Sequence, residues 1–163
     1  KHKDDDPRVK EQKYIANAVA DAVKFCGYSK ERGDIFLDGF SFAEVPAAYT
    51  PCARKGGPIA TSRLIANYQP GEKGVATFDL KSAWKPGKVA IAAYGGWQRL
   101  KVTLNGNVLH EGGVKTGKSD KGEPRHFELE APAKFFKRGP NQLVIENSSG
   151  AYFEMVYTVV QLR

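Results

Sequence analysis

The chain has 163 residues, 41% of them apolar, and a net charge of +7: enough to bury one sizeable core and too little for two ordinary domains. Its 17 Gly and 9 Pro point to many turns and argue against an architecture dominated by long helices. No run approaches the roughly 18 apolar residues of a membrane span, and no apolar leader with a cleavage site is present.

Residues 1–8, a charged stretch with three consecutive Asp, are expected to form a disordered tail. The first residue is Lys1 rather than Met, so a processed or excised form is expected, with any secretion signal already removed. Over residues 9–25 Ile15, Ala18, Val19, Ala22, Val23 and Cys26 recur at three- and four-residue spacing, which predicts one amphipathic helix stopped by Gly27. Helix and linker together span 9–32. The apolar stripe has three destinations, the remainder of this chain, a neighbouring domain or a membrane surface; the first is favoured because an exposed stripe invites aggregation, and the last is weakened by the small, Ala-rich face.

From residue 33 onward the period changes from helical to strand-like. Residues 33–49 hold short β-rich runs broken by Gly39 and Pro46, and 50–61 read as loop. A short strand over 63–68, a turn over 70–74, an alternating strand over 75–80 and a turn at Lys85-Pro86-Gly87 follow. Residues 88–94 form a buried-type run leading into Gly95-Gly96-Trp97. Val102 and Leu104 share one strand face and Lys101 and Thr103 the other, and Asn105-Gly106 supplies the two positive φ values of a tight hairpin. Further strands are expected at 127–132 and around Leu143 and Ile145, with a loop at 147–150. The last, 153–162, is too apolar to lie at an exposed edge. Many strands, one peripheral helix and no βαβ rhythm predict an all-β antiparallel sandwich over 33–163, a jelly roll in outline.

The charge is a solvation feature in most proteins and a steering field for polyanions in some. No helix-turn-helix, zinc-finger spacing, RNP-type aromatic motif or basic helix is present, so nucleic acid is not an expected partner, and neither is a membrane. An acidic polysaccharide satisfies the same electrostatics, since Arg pairs with carboxylates or sulfates and aromatic rings stack on sugars.

The strand KVTLNGNVL, the segment FELEAPAKFFKRGPNQLVIENSSG and the closing FEMVYTVVQL strand together resemble the galactose-binding-like jelly roll. That fold occurs in carbohydrate-binding modules and in ancillary domains of glycoside hydrolases and polysaccharide lyases; the carboxyl-terminal domain of rhamnogalacturonan lyases is similar in this order. The resemblance covers residues 33–162 and is best from Ala90 on. It implies a closing strand paired beside the first, and a secreted, non-catalytic carbohydrate-binding module attached to a polysaccharide-degrading enzyme. The alternative is a structural or protein-interaction sandwich docked on a catalytic domain or partner chain.

Sugar sites in such domains lie in loops at one edge or on a concave face. Carried onto this sequence, the resemblance implies a site at Tyr94, Trp97, Gln98 and Arg99 after the buried strand, and at Asn147, Ser148, Ser149 and Tyr152 before the last one. Amides offer a donor and an acceptor to vicinal hydroxyls, and an indole offers a flat face to the C–H side of a pyranose. The competing reading buries Trp97 and Trp84 as core or rim residues and spends Asn147 on its own loop backbone.

Other chemistry finds little in the sequence. Many such sandwiches carry a structural calcium, but the last strand offers only Glu154, and although Asp34, Asp38 and Glu44 lie near the first strands there is no dense oxygen-ligand loop, so no cofactor is expected. His2, His110 and His126 are far apart, and the latter two are expected at strand ends. Cys26 and Cys52 match no metal or redox motif; they either pair as a disulfide or stand as a buried helix residue and a loop thiol. Glu128 and Glu130 share a strand face, the ordinary fate of alternating acids, and GVKTGKSDKGEP reads as a mobile basic loop rather than a phosphate loop. No nucleophile elbow, zincin motif or Walker loop is present.

Overall fold

A computed structural model of the chain describes residues 7–42, 67–68, 71–83, 85–117, 124–149 and 153–163. Period-two alternation sets the layers. In β4 (Lys73–Leu80), β6 (Trp97–Leu104) and β9 (Gly139–Asn147) every second side chain is buried, so each strand has one core face and one outer face. These three pair antiparallel, with β2 (Ser41–Phe42) and β7 (Asn107–Lys115) at the two ends, in the order β2-β4-β9-β6-β7.

The opposite sheet has the order β1-β10-β5-β8, from β1 (Ile35–Phe36), β10 (Phe153–Leu162), β5 (Gly87–Tyr94) and β8 (Arg125–Ala131); β3 (Asn67–Tyr68) also pairs with β10. The closing strand lies beside the first, Ile35 opposite Val160, as the resemblance implied. Strands that follow one another in sequence cross between sheets, β4 to β5 and β5 to β6, then β8 to β9 and β9 to β10. The result is an antiparallel β-sandwich of jelly-roll outline.

β5 and β10 are apolar on both faces because both faces are covered. Val89, Ile91, Ala93, Met155 and Val160 point between the sheets and meet Leu100, Val102, Leu104, Leu143 and Ile145. Ala90, Ala92, Val156, Tyr157 and Val159 point the other way, under α1 (Pro7–Cys26). Ala18 and Ala22 are buried there, and Ile15 and Cys26 extend the contact. Alanine on alanine lets the helix backbone approach the sheet closely, and the stripe goes to this chain's own sandwich. Val23 is the exception, at 51% exposed. It lies one residue, or about 100° of helix turn, beyond Ala22 and so at the margin of the buried face.

Gly27 takes φ 67 and ends the helix, as expected of a left-handed cap. The Gln161 amide N–H₂ then ties the helix end to β10 by donating to the Cys26 carbonyl and the Asp34 carboxylate, both at 3.1 Å. Cys26 is a free thiol that donates to the Ala22 carbonyl, while Cys52 lies outside the described residues, as do Trp84 and Glu44.

The hairpin has the geometry its sequence demands, Asn105 at φ 50 and Gly106 at φ 80. Two expectations are corrected by β7. The stretch read as the start of a basic loop continues as strand to Lys115, held in register by β6, and His110 stands in mid-strand opposite Val102 instead of at a strand end. Residues 118–123 of that stretch lie outside the described residues.

Candidate functional site

The connection between β5 and β6 is only two residues long, and it passes from one sheet to the other. Gly95 at φ 136 and Gly96 at φ 80 make that corner in conformations that side-chain-bearing residues rarely adopt. The N–H groups of both glycines donate to the Gly117 carbonyl, at 2.8 and 3.1 Å, and Thr116 returns its N–H and hydroxyl to the Gly96 carbonyl, at 2.6 and 2.9 Å. The corner is therefore clamped from beneath. Trp97, Gln98 and Arg99 are the first three residues of β6 and not loop residues, because the corner needs nothing beyond the two glycines.

Strand alternation then divides the expected site. Trp97 points outward and is 75% exposed, the most exposed of the large apolar side chains described. Gln98 points inward and is 2% exposed. Its amide N–H₂ donates to the Gly95 carbonyl at 2.7 Å, which braces the corner, and its side-chain oxygen accepts from the Ser149 hydroxyl. Asn147, the last residue of β9, is fully buried; its side-chain oxygen accepts from the Ser149 N–H at 3.0 Å and shares the single proton of that hydroxyl with Gln98. The two amides hold the ends of two connections in place, and Asn147 serves its own loop backbone.

Arg99 shares the outward face with Trp97. The register places Lys115 of β7 directly opposite Trp97, Gly113 opposite Arg99 and Glu111 opposite Lys101. Lys101 and Glu111 form an ion pair at 3.5 Å, and Glu146 of β9 is paired with Lys73 of β4 at 3.5 Å. Among the described residues Arg99 and Lys115 meet no carboxylate and make no side-chain hydrogen bond. This end of the face thus carries two uncompensated positive charges beside an exposed indole, and the row behind it is neutralised.

Tyr94 belongs elsewhere. It ends β5 on the outer face of the other sheet and packs in the cluster beneath α1, with the whole sandwich between it and the Trp97 face. Its ladder partner is Glu154, whose carboxylate accepts from the Tyr14 hydroxyl of α1 at 2.9 Å. Burial and the nearby Glu154 and Asp21 carboxylates raise the Tyr94 phenol. Tyr152 lies outside the described residues.

Lys115 and Gly113 were not expected from the sequence. The signal was present in the exposed alternation of residues 111, 113 and 115, but it required the hairpin register, including its irregularity between Val102 and Thr103, to be counted back from Asn105-Gly106.

Away from this face, the most connected titratable groups line the outer surface beside α1. Tyr157 is paired with His126 Nδ1 at 2.7 Å, His126 Nε2 faces Glu128 at 3.4 Å, and Lys88 donates to Glu128 at 3.0 Å. That last bond holds the Glu128 carboxyl below its usual range, and burial drives the Tyr157 phenol well above its own. A fully buried phenol that holds its proton tightly is neither a nucleophile nor a base at neutral pH. Among the described residues no three His, Cys, Asp or Glu side chains come together to hold a metal ion, and no helix is long and apolar enough to cross a membrane.

No family model matches the chain, and no curated protein matches it. Among solved structures, similar ones include the CBM36-1 domain of a multidomain xylanase from the hindgut metagenome of Trinervitermes trinervoides, at 8% identity and TM-score 0.49 over 78% of this chain and 95% of that one. A family 35 carbohydrate-binding module from Cellvibrio japonicus is similar at 13% identity and TM-score 0.46, over 80% and 96%. The cycloalternan-forming enzyme of Listeria monocytogenes is similar at 12% identity and TM-score 0.49, over 80% of this chain and 11% of that enzyme. With every TM-score below one half, these likenesses say nothing of what this chain binds.

Proposed function

We propose that this chain is a non-catalytic carbohydrate-binding module whose platform is the outward face of β6 and β7 around Trp97. The observation that carries the reading is the exposure of that indole. A large apolar ring turned to water on a rigid strand, over a clamped corner, offers a flat surface suited to the C–H face of a sugar ring. The corner is already held by its own hydrogen bonds, so little ordering remains to be done on binding. The net charge of +7 favours acidic glycans, and the reading extends to a secreted polysaccharide-degrading enzyme as the parent, with residues 33–163 as the binding unit and the helix and linker before it.

Affinity electrophoresis through gels containing neutral or acidic polysaccharides tests this. Retardation of the native protein that is lost in Trp97→Ala supports the reading; equal mobility in every gel removes it.

A second reading, a sandwich that docks on a partner protein, is favoured by Val23 and Phe25, exposed at 51% and 47% near the end of α1. Loss of co-purification with a catalytic domain on Phe25→Ser, with glycan retention intact, would favour that role.

A further inference from the structure

Gly113 is a glycine that the fold does not need. Its neighbour Gly112 has φ 146 and is required by the backbone, but Gly113 has no positive φ. A Cβ built on it would meet only the Gln98 carbonyl oxygen, at 4.0 Å. It stands in the interior of a strand, on the exposed face, where a residue without a side chain weakens the strand and packs against nothing. Such a glycine is accounted for when something approaches the backbone closely from outside.

What would approach is indicated by the neighbours. Gly113 faces Arg99 across the ladder, Lys115 is two residues along its own strand, and Trp97 completes the square opposite Lys115. Same-face neighbours lie about 5 Å apart across the ladder and about 7 Å apart along a strand, so the four positions frame an area near the size of one pyranose ring. Three corners carry an indole and two cations that meet no carboxylate among the described residues, and the fourth is empty.

From this we infer that Trp97, Arg99, Gly113 and Lys115 form a subsite for a sugar unit bearing an anionic substituent. The ring stacks on Trp97, its edge settles over the Gly113 backbone, and its carboxylate or sulfate is taken by the Arg99 guanidinium and the Lys115 ammonium. The inference rests on the carbohydrate reading of this face and adds to it a ligand class and two specificity-determining residues, Gly113 and Lys115. The rows behind are neutralised, Lys101 with Glu111 and Lys73 with Glu146, so among the described residues the anion meets its free cations at this end of the face.

Isothermal titration of the whole chain with polygalacturonate, its methyl-esterified neutral counterpart and a sulfated galactan tests it. In the combined Arg99→Gln and Lys115→Gln variant, affinity for one or both anionic polymers is expected to fall at least about tenfold, the effect of losing charge-assisted hydrogen bonds, while the neutral polymer is unaffected. Which polymer responds tells carboxylate from sulfate. Lys134→Gln with Lys137→Gln makes the same change in charge beyond the far end of β6, and is expected to leave affinity unchanged. Gly113→Val is expected to keep or raise the melting temperature and to abolish binding of all three polymers. Equal losses from the near and distal charge pairs would overturn the inference in favour of a whole-protein field, and so would a folded Gly113→Val that binds like the native chain. Native protein that binds the neutral polymer with no gain for an anionic one ends this inference alone, whereas no binding to any polymer ends the carbohydrate reading with it.

Discussion

Trp97 and Gln98 are consecutive residues on one strand, and they face opposite sides of it: the indole stands in water at 75% exposure, while the amide is buried at 2% and bonded to the Gly95 carbonyl. The exposed residue is turned to solvent and the buried one holds the corner.

The two positions should therefore separate cleanly on mutation. Gln98→Ala removes the amide that braces the Gly95 carbonyl and leaves the Ser149 hydroxyl to Asn147, and should lower unfolding free energy by about 1–3 kcal/mol. Trp97→Ala, at an exposed site, should change it by no more than about 0.5 kcal/mol. Urea denaturation of both variants reads the difference, and a Trp97→Ala loss as large as that of Gln98→Ala would mean that the ring is a packing residue.

Tyr94→Ala should leave glycan retention unaltered while lowering the melting temperature, because Tyr94 packs beneath α1 on the opposite outer face. Affinity electrophoresis beside a thermal melt checks both halves. Lost retention in a still-folded protein would place the site on the α1 side.

Such a separation could not be seen in the sequence. Asn105-Gly106 was legible because its requirement is local: two adjacent residues that tolerate positive φ between alternating strands. The apolar run of β10 was legible as a covered strand for a similar reason, since its composition alone demands cover on both faces. Tyr94 and Trp97 are three residues apart and looked like neighbours in one loop. Their faces diverge because the Gly95-Gly96 corner carries the chain from one sheet to the other, and sheet membership is decided by distant partners, Glu154 for Tyr94 and Lys115 for Trp97. Asn147 was legible as a polar residue near the corner, but its burial was set by Ser149 and the close of β9.

Asn105 should prove more than a turn former. Its amide N–H₂ donates to the Phe135 carbonyl and the Asn141 side-chain oxygen, at 2.8 and 2.7 Å, and its own oxygen accepts from the Gln142 N–H at 2.9 Å. Asn105→Gly keeps the turn and loses these bonds; Asn105→Ala loses both, and should be the less stable of the two by about 1 kcal/mol. Equal denaturation midpoints would mean that the positive φ carries no cost here.

Stability should fall at alkaline pH. Burial, then the bond to Glu154, raises the Tyr14 phenol, and burial raises that of Tyr157. A phenol whose folded pKa is raised contributes stability that is complete below its ordinary value of 10.0 and is lost as pH climbs toward the higher folded value. Denaturation midpoints should therefore hold to about pH 9 and decline above it, and Tyr14→Phe with Tyr157→Phe should flatten that decline. An undiminished decline in the double variant would assign the alkaline loss to other groups.

The chain has two Trp, so Trp84→Phe leaves Trp97 as the sole indole, and its fluorescence reports on the platform alone. Titrating that variant with an oligosaccharide it retains should shift the emission to the blue and protect the ring from acrylamide quenching, as a sugar covers its exposed face. Saturating binding with unchanged emission and unchanged quenching would contradict the assignment of Trp97 as the binding platform.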